Sequence, residues 1–327
     1  MGFIHLVKVF LLNYHVGMST SPILVYSVPW DVTVTYRSGS HNSPGFIQES
    51  MVQLDDQHPF SKDSIQLTFL PVNSTIGGLQ HEYKGISSSI IDALNHQKNL
   101  TSRQQQHLTD INCASRDLNQ LVLNDIHHHR SSPVILCGGE HGVGVGYVAS
   151  LSRQYDSFSI LHIDAHMDCR VQYFGYDYSH ASVMTHYAKN SAVSGITQVG
   201  IRDYASVETQ FQAESDTPFH VFTDYGLHQQ LFQGKTWNDV CQQILGTLSD
   251  RVFISLDVDG LMAYLCPATG TPVPGGLSYN QLVYLLEQVS KTKHVIGAEL
   301  VEVNSSSASD WNADVGARLL FLLAGCF

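Results

Sequence analysis

One feature constrains the fold of this chain more than any other: short apolar and β-branched runs alternate with longer segments whose apolar residues recur at helical spacing. The runs fall at 23–28, 65–70, 134–136, 158–163, 196–201, 252–256 and 295–303. The helical segments include 87–94, 104–126, 143–154, 237–248 and 279–289. A strand reads as continuously apolar when helices cover both its faces, and parallel neighbours need a crossover between them. The alternation therefore predicts βαβ units on a mainly parallel sheet, an α/β fold.

No glycine/serine linker, proline-rich stretch, charge block or fixed-period repeat divides the sequence, so residues 19–327 read as a single domain. Residues 1–18 read as a disordered extension or an upstream-start segment. They lack the leader, long apolar stretch and cleavage site of a signal peptide. No run approaches the ~20 apolar residues that span a membrane. With 29 acidic against 17 basic side chains, the formal charge of -12 gives no support to a grip on nucleic acid phosphates. Six scattered cysteines without a CxxC pair point to reduced thiols in a cytoplasmic protein rather than a disulfide framework or structural zinc site.

In open α/β sheets ligands collect at the carboxyl ends of the strands, so polar residues that follow strand-like runs carry the functional signal. Three places stand out: Gly138-Gly139-Glu140-His141, Asp164-Ala165-His166-Met167-Asp168, and Asp257-Val258-Asp259. Along an extended segment, Asp164, His166 and Asp168 project to one side, and Asp257 and Asp259 repeat the pattern. With His141 they supply four carboxylates and two imidazoles. This hard, oxygen-rich set without thiolate favours manganese or a similar divalent ion. Two such ions would neutralise four aspartates that could not otherwise crowd together ionised. The run His127-His128-His129-Arg130 reads instead as a solvated helix end.

These motifs resemble the ureohydrolase family of arginases, agmatinases, formimidoylglutamases and guanidinobutyrases. The likeness extends over most of the chain: Val28-Pro29-Trp30-Asp31, the stretch 39–47, Ser179-His180, the stretch 255–276 ending in Thr269-Gly270-Thr271-Pro272-Val273-Pro274-Gly275-Gly276, and the stretch 299–304. The resemblance implies a three-layer α/β/α fold around an eight-stranded parallel sheet, two manganese ions per subunit, and a homo-oligomer, trimer or hexamer. By likeness, His141, Asp164, Asp168 and Asp257 hold one ion, and Asp164, His166, Asp257 and Asp259 the other. Asp168 also orients a metal-bridging hydroxide, Glu302 pairs with the substrate guanidinium, and His180 shuttles a proton to the leaving amine.

The sequence departs from the family pattern at Ala181, Met262, Ala263, Glu299 and Ser305, positions expected to shape the substrate mouth. Agmatine, cleaved to putrescine and urea, is the first expectation, because Asp168-Cys169-Arg170 and Tyr178-Ser179-His180-Ala181 are similar to agmatinase-like members. Arg170 could meet a substrate carboxylate and Asp177 a substrate amine, which keeps arginine, 4-guanidinobutyrate and formiminoglutamate in play. From other classes, a non-catalytic homologue and a metal-dependent deacetylase are the rivals.

Overall fold

Eight strands form one sheet in the computed structural model, which describes residues 22–61 and 65–327. The extension expected over 1–18 lies outside the described residues. The strands are β1 (Ile23–Val28), β2 (Leu67–Phe69), β3 (Val134–Gly138), β4 (Phe158–Ile163), β5 (Val193–Ile201), β6 (Phe219–Thr223), β7 (Arg251–Asp257) and β8 (His294–Val301). Their order is β2-β1-β3-β8-β7-β4-β5-β6, and every neighbouring pair is parallel.

Among the described residues ten α-helices cover the sheet: α1 (Ser43–Ser50), α2 (Ser74–Asn95), α3 (Ser102–His128), α4 (Val145–Leu151), α5 (Val183–Ala188), α6 (Ser206–Glu214), α7 (Asp224–Phe232), α8 (Trp237–Leu245), α9 (Tyr279–Thr292) and α10 (Trp311–Ala324). Successive side chains of a strand point to opposite faces, and β1 shows where each face goes. Leu24, Tyr26 and Val28 pack with α2, α3, α4 and α5, whereas Ile23 and Val25 pack with α1, α8, α9 and α10. Both faces are thus buried, which is why the runs read as continuously apolar. A side chain such as Ile135, Ile160 or Ile254, with no exposure, contributes about 1.5–3 kcal/mol by leaving water. The expected three-layer α/β/α architecture is present. Among the described residues no helix is long and apolar enough to cross a membrane.

Local signals account for the helix ends. Thr101 and Gln104 form a reciprocal capping box that starts α3, and Ser278 and Gln281 do the same for α9. His127 and His128 lie in the last turn of α3, as expected of that run. Several elements depart from the sequence reading, and three show why. Strand β6 has no counterpart among the predicted runs, because an edge strand is only half buried and Phe219-His220-Val221-Phe222-Thr223 lacks a continuous apolar signature. Helix α10 is buried nearly all round, so no polar face gives it a helical period. The segment predicted at 143–154 begins instead with a 3-10 turn, His141–Gly144, before α4.

The strand order decides where the site lies. The connection from β3 to β4 skips two positions, which β8 and β7 later fill. Loops after β3, β8, β7 and β4 therefore emerge side by side at the carboxyl edge, where the strand order departs from the order along the chain.

Candidate metal centre

Three of these four central strands, β3, β4 and β7, deliver the ligands, and β8 leads into Glu302 beside them. His141 enters on the 3-10 turn after β3; Asp164, His166 and Asp168 follow β4; Asp257 ends β7; and Asp259 sits on the 3-10 turn Val258–Gly260. His141 Nδ1 lies 2.9 Å from Asp168 Oδ2, 3.3 Å from Asp164 Oδ2 and 3.8 Å from Asp257 Oδ2. His166 Nδ1 lies 3.2 Å from Asp259 Oδ2 and 3.4 Å from Asp164 Oδ1. Two ligand groups result, His141 with His162, Asp164 and Asp168, and His166 with Asp164 and Asp259. Asp164 belongs to both, with one oxygen turned toward each.

The extended alternation expected for these ligands is corrected by the backbone. Strand β4 stops at Ile163, Asp168 adopts φ 52, and Asp259 lies in a turn. Convergence comes from side chains that bind neighbouring amides. Asp164 Oδ1 accepts from His166 N at 2.7 Å, Asp257 Oδ1 from Asp259 N at 2.8 Å, and Asp259 Oδ1 from Ala165 N at 3.1 Å. The last bond ties the β4 and β7 loops together. They approach so closely that a Cβ on Gly260 would lie 2.6 Å from Asp164 N.

Beneath the ligands runs a polar row of which the sequence reading singled out only Glu299, expected at the substrate mouth but buried here outside the cleft lining. Glu299 of β8, Ser255 of β7, His162 of β4 and Gln198 of β5 are direct partners in register, and all four are completely buried. Ser255 Oγ donates to Glu299 Oε1 at 2.7 Å, as does Tyr187 Oη. With its proton so committed, Ser255 Oγ accepts from His141 Nε2 at 2.8 Å. The Nδ1 lone pair of His141 then points at carboxylate oxygens and has no hydrogen-bond donor among the described residues. Lone pair against carboxylates is repulsive unless a proton or a metal ion sits between them, and the mixed carboxylate and imidazole donors present fit a divalent ion.

Electrostatics without an ion express the same conflict. Burial alone would lower the His141 pKa, but Asp164, Asp168 and Glu299 hold it well above the ordinary imidazole value. Burial raises Asp257 well above the usual carboxylate range, with Asp259 and Asp164 adding to it, and burial beside Asp164 brings Asp168 up to about 6. Asp164 goes the other way: burial is outweighed by His162, His141 and His166, which hold it well below. Binding an ion here would displace the shared protons.

A cleft of about 280 Å³ opens over the cluster, lined by His166, Asp168, Asp257, Asp259, His180 and Glu302, with Arg170, Tyr173, Tyr36, Asp203, Tyr204 and Glu208 around them. Glu302 follows β8 at φ 61, held by its N donating to Gly139 O at 2.8 Å and by Thr269 Oγ1 donating to its carbonyl at 2.9 Å. Its Oε1 accepts from His141 N at 2.8 Å. Non-glycine residues held at positive φ concentrate at functional sites, and both Asp168 and Glu302 are such residues. His180 meets the Tyr173 ring edge-on at 5.8 Å. Desolvation, with His166 and His141 nearby, pushes its imidazole down to about 3.

Two candidates behave differently from expectation. Arg170 lines the cleft, but its guanidinium lies over Tyr173 at 4.9 Å and 3.8 Å from Glu208 Oε2, so it already has partners. Asp177 is not among the lining residues; its backbone N donates to Asn112 Oδ1 and its carbonyl accepts from His186 Nε2. Met262, Ala263 and Ser305, expected to shape the mouth, also lie outside the lining, whereas Ala181 belongs to it. Arg202 was missed altogether: its guanidinium donates to the carbonyls of Gly200, Asp259, Leu261, Val273 and Pro274, clamping three loops around the site. Position i−2 from a ligand is the signal that could have found Ser255 and His162, since it marks the same strand face.

The arginase family model matches residues 21–325. The N(1)-aminopropylagmatine ureohydrolase of Thermus thermophilus is 36% identical over 171 residues, 52% of this chain and 55% of that protein, so the match spans about half its length. The agmatinase of Bacillus subtilis is 25% identical over 283 residues, 86% of this chain and 82% of that protein. Among solved structures, the agmatine ureohydrolase of Thermoplasma volcanium superposes with a TM-score of 0.66 at 22% identity, covering 94% of this chain and 89% of that one. At that identity the superposition speaks for the fold alone.

Proposed function

Because the chain belongs to the arginase family, we propose that it is a binuclear manganese hydrolase that releases urea from a small linear guanidino compound, with agmatine as substrate and putrescine as co-product. The observation that carries this reading is the partnerless Nδ1 of His141, aimed into carboxylates that need a cation. His141, Asp164, Asp168 and Asp257 would hold one ion, and Asp164, His166, Asp257 and Asp259 the other. Such a pair of ions, when bound, lowers the pKa of water toward neutrality and so supplies the nucleophile that a resonance-stabilised guanidinium requires.

The remaining work falls to side chains in the cleft. Glu302 presents a carboxylate with no lysine or arginine within ion-pair distance among the described residues, a fit for the planar, multi-donor guanidinium. Asp168, turned inward by its positive φ, orients the attacking water. His180 lines the cleft and would relay a proton to the departing amine, against burial and the neighbouring His166 and His141, which disfavour its protonated form. Around the outer wall Glu208 already faces Arg170, and Asp203 adds a further negative charge, which favours a cationic tail over a carboxylate one. The exposed Tyr36 and Tyr204 leave the wall open outward, which favours a second reading, an aminopropyl-extended agmatine of the kind named for the Thermus relative.

Urea release should be measured from agmatine, N(1)-aminopropylagmatine, arginine and 4-guanidinobutyrate with added Mn(II), and formamide release from formiminoglutamate. Fastest turnover of agmatine is expected; faster turnover of arginine would overturn the substrate. A protein that binds no divalent ion would favour a non-catalytic homologue instead. A cytoplasmic trimer or hexamer belongs to the same reading, and light scattering of the purified chain tests the assembly.

A further inference from the structure

Within the buried polar row, the hydrogen bonds around His162 admit one arrangement of protons. Gln198 Nε2 donates to Met167 O at 2.8 Å and lies 2.9 Å from His162 Nδ1, while Gln198 Oε1 accepts from Gln212 Nε2 at 2.6 Å. A carbonyl can only accept, so the Gln198 amide cannot be turned over without placing oxygen against oxygen. Its second N–H therefore points at His162 Nδ1, which must carry the lone pair. The ring proton then sits on Nε2, 2.7 Å from Asp164 Oδ2.

Asp164 receives one protein hydrogen bond on each oxygen: His162 Nε2 on Oδ2 and His166 N on Oδ1. Each oxygen keeps a further lone pair turned toward one ligand group, Oδ2 toward His141 and Oδ1 toward His166. We propose that His162, fixed as the Nε2–H tautomer by Gln198 and Gln212, is a positioning residue that sets the plane of Asp164 so that its two oxygens serve two ions. The proposal rests on the binuclear reading above. Without the His162 donor, Oδ2 loses the contact that opposes rotation, and a bridging ligand that rotates serves one group at the other's expense. Partners that orient ligands in this way are worth roughly 10- to 100-fold in metal affinity.

The tautomer can be read without metal, by ¹⁵N NMR of histidine-labelled full-length protein treated with chelator. His162 is expected to show a protonated Nε2 and an unprotonated Nδ1; a proton on Nδ1 overturns the proposal. Addition of Zn(II) as a diamagnetic probe should leave Nε2 protonated, whereas its deprotonation would make His162 a ligand and overturn the positioning role. Calorimetric titration with Mn(II) alone should show His162→Phe binding roughly 10- to 100-fold more weakly, with recovery in His162→Gln, which keeps an N–H donor. Binding by His162→Phe within twofold of the parent overturns it. Should that variant not fold, Gln198→Glu supplies the same test, because a carboxylate cannot donate to Nδ1: reversed ring protonation with weakened Mn(II) binding is expected, and no change in either overturns the proposal. If the parent protein binds no Mn(II), the binuclear reading fails, and the metal-free tautomer remains a separate result.

Discussion

Ser255 accepts a hydrogen bond from His141 Nε2 at 2.8 Å and donates one to Glu299 Oε1 at 2.7 Å. That two-step relay decides which imidazole nitrogen faces the carboxylates. Ser255→Ala removes the acceptor, leaving a buried N–H without a partner and a ring free to choose the other tautomer. Mn(II) affinity should fall roughly 10- to 100-fold. The check is isothermal titration with a parallel melt of the metal-free protein; parent-like affinity would show that Glu299, 3.5 Å from Nε2, takes over the bond.

Gly144 closes the turn that carries His141. A Cβ there would come within 2.0 Å of Glu299 Oε2 and 2.1 Å of Tyr187 Oη, neither of which has room to retreat because both are buried. Gly144→Ala should destabilise the fold by about 1–3 kcal/mol, the usual range for overpacking, and loosen metal binding with it. Denaturant midpoints of the metal-free protein provide the measurement. An unchanged midpoint would mean that the turn yields easily.

What the sequence made legible here follows from periodicity. The positions of Asp164, Asp257 and His141 could be read because ligands that follow buried strands interrupt a strong apolar signal. Glu302 and His180 could not be read that way, since a lone glutamate or histidine has no pattern; they entered through motif resemblance. Arg202 was illegible because its partners are backbone carbonyls, which no side-chain pattern encodes. His162 and Gln198 were hidden inside strand runs, where a polar residue looks like an imperfection until the register places the two side by side.

Asp31 couples stability to pH. It is fully buried, accepts from Gly39 N and Gln80 Nε2 at 2.7 Å each, and faces His41 Nδ1 and Lys84 Nζ at 2.9 Å each. Burial raises its pKa, but His41, Lys84 and the Gly39 amide outweigh burial and hold it well below the usual carboxylate value. A depressed folded-state pKa stabilises fully above the unfolded value of about 3.9 and is lost as pH falls toward the folded value. Asp31→Asn should therefore cost about 3 kcal/mol at pH 7, as loss of one partner of a buried pair does. The gap to the parent should narrow steadily below about pH 4. Unfolding curves across pH 2–7 test this, and a gap independent of pH would contradict it.

Arg202 holds the loop after β5 against the loop carrying Asp259 through a 2.6 Å bond to the Asp259 carbonyl. Lysine keeps the charge but has no planar fork and cannot reach five carbonyls from one position. Arg202→Lys should lose about 1.5–3 kcal/mol, the scale of a charge-assisted hydrogen bond. Because the loss falls on Asp259, Mn(II) affinity should drop alongside stability. A variant that loses stability while binding Mn(II) as before would show that the clamp is structural only.

Glu302 presents the opposite balance, a carboxylate whose burial disfavours its ionised form. Burial raises its pKa well above the ordinary glutamate value, with Glu140 adding to it, even though the His141 amide binds its charged form. A raised folded-state pKa in an acid means that ionisation opposes folding, so this cost grows as pH rises through the unfolded value of about 4.3 and ends at the folded one. Glu302→Gln keeps an acceptor for the His141 amide and removes the charge. It should melt at or above the parent temperature at pH 8 while binding Mn(II) normally. Its kcat/KM for agmatine should fall roughly 10- to 150-fold, the equivalent of about 1.5–3 kcal/mol of lost guanidinium pairing. Parent-like turnover in the variant would remove Glu302 from substrate recognition, and a lowered melting temperature would show that its charge supports the fold.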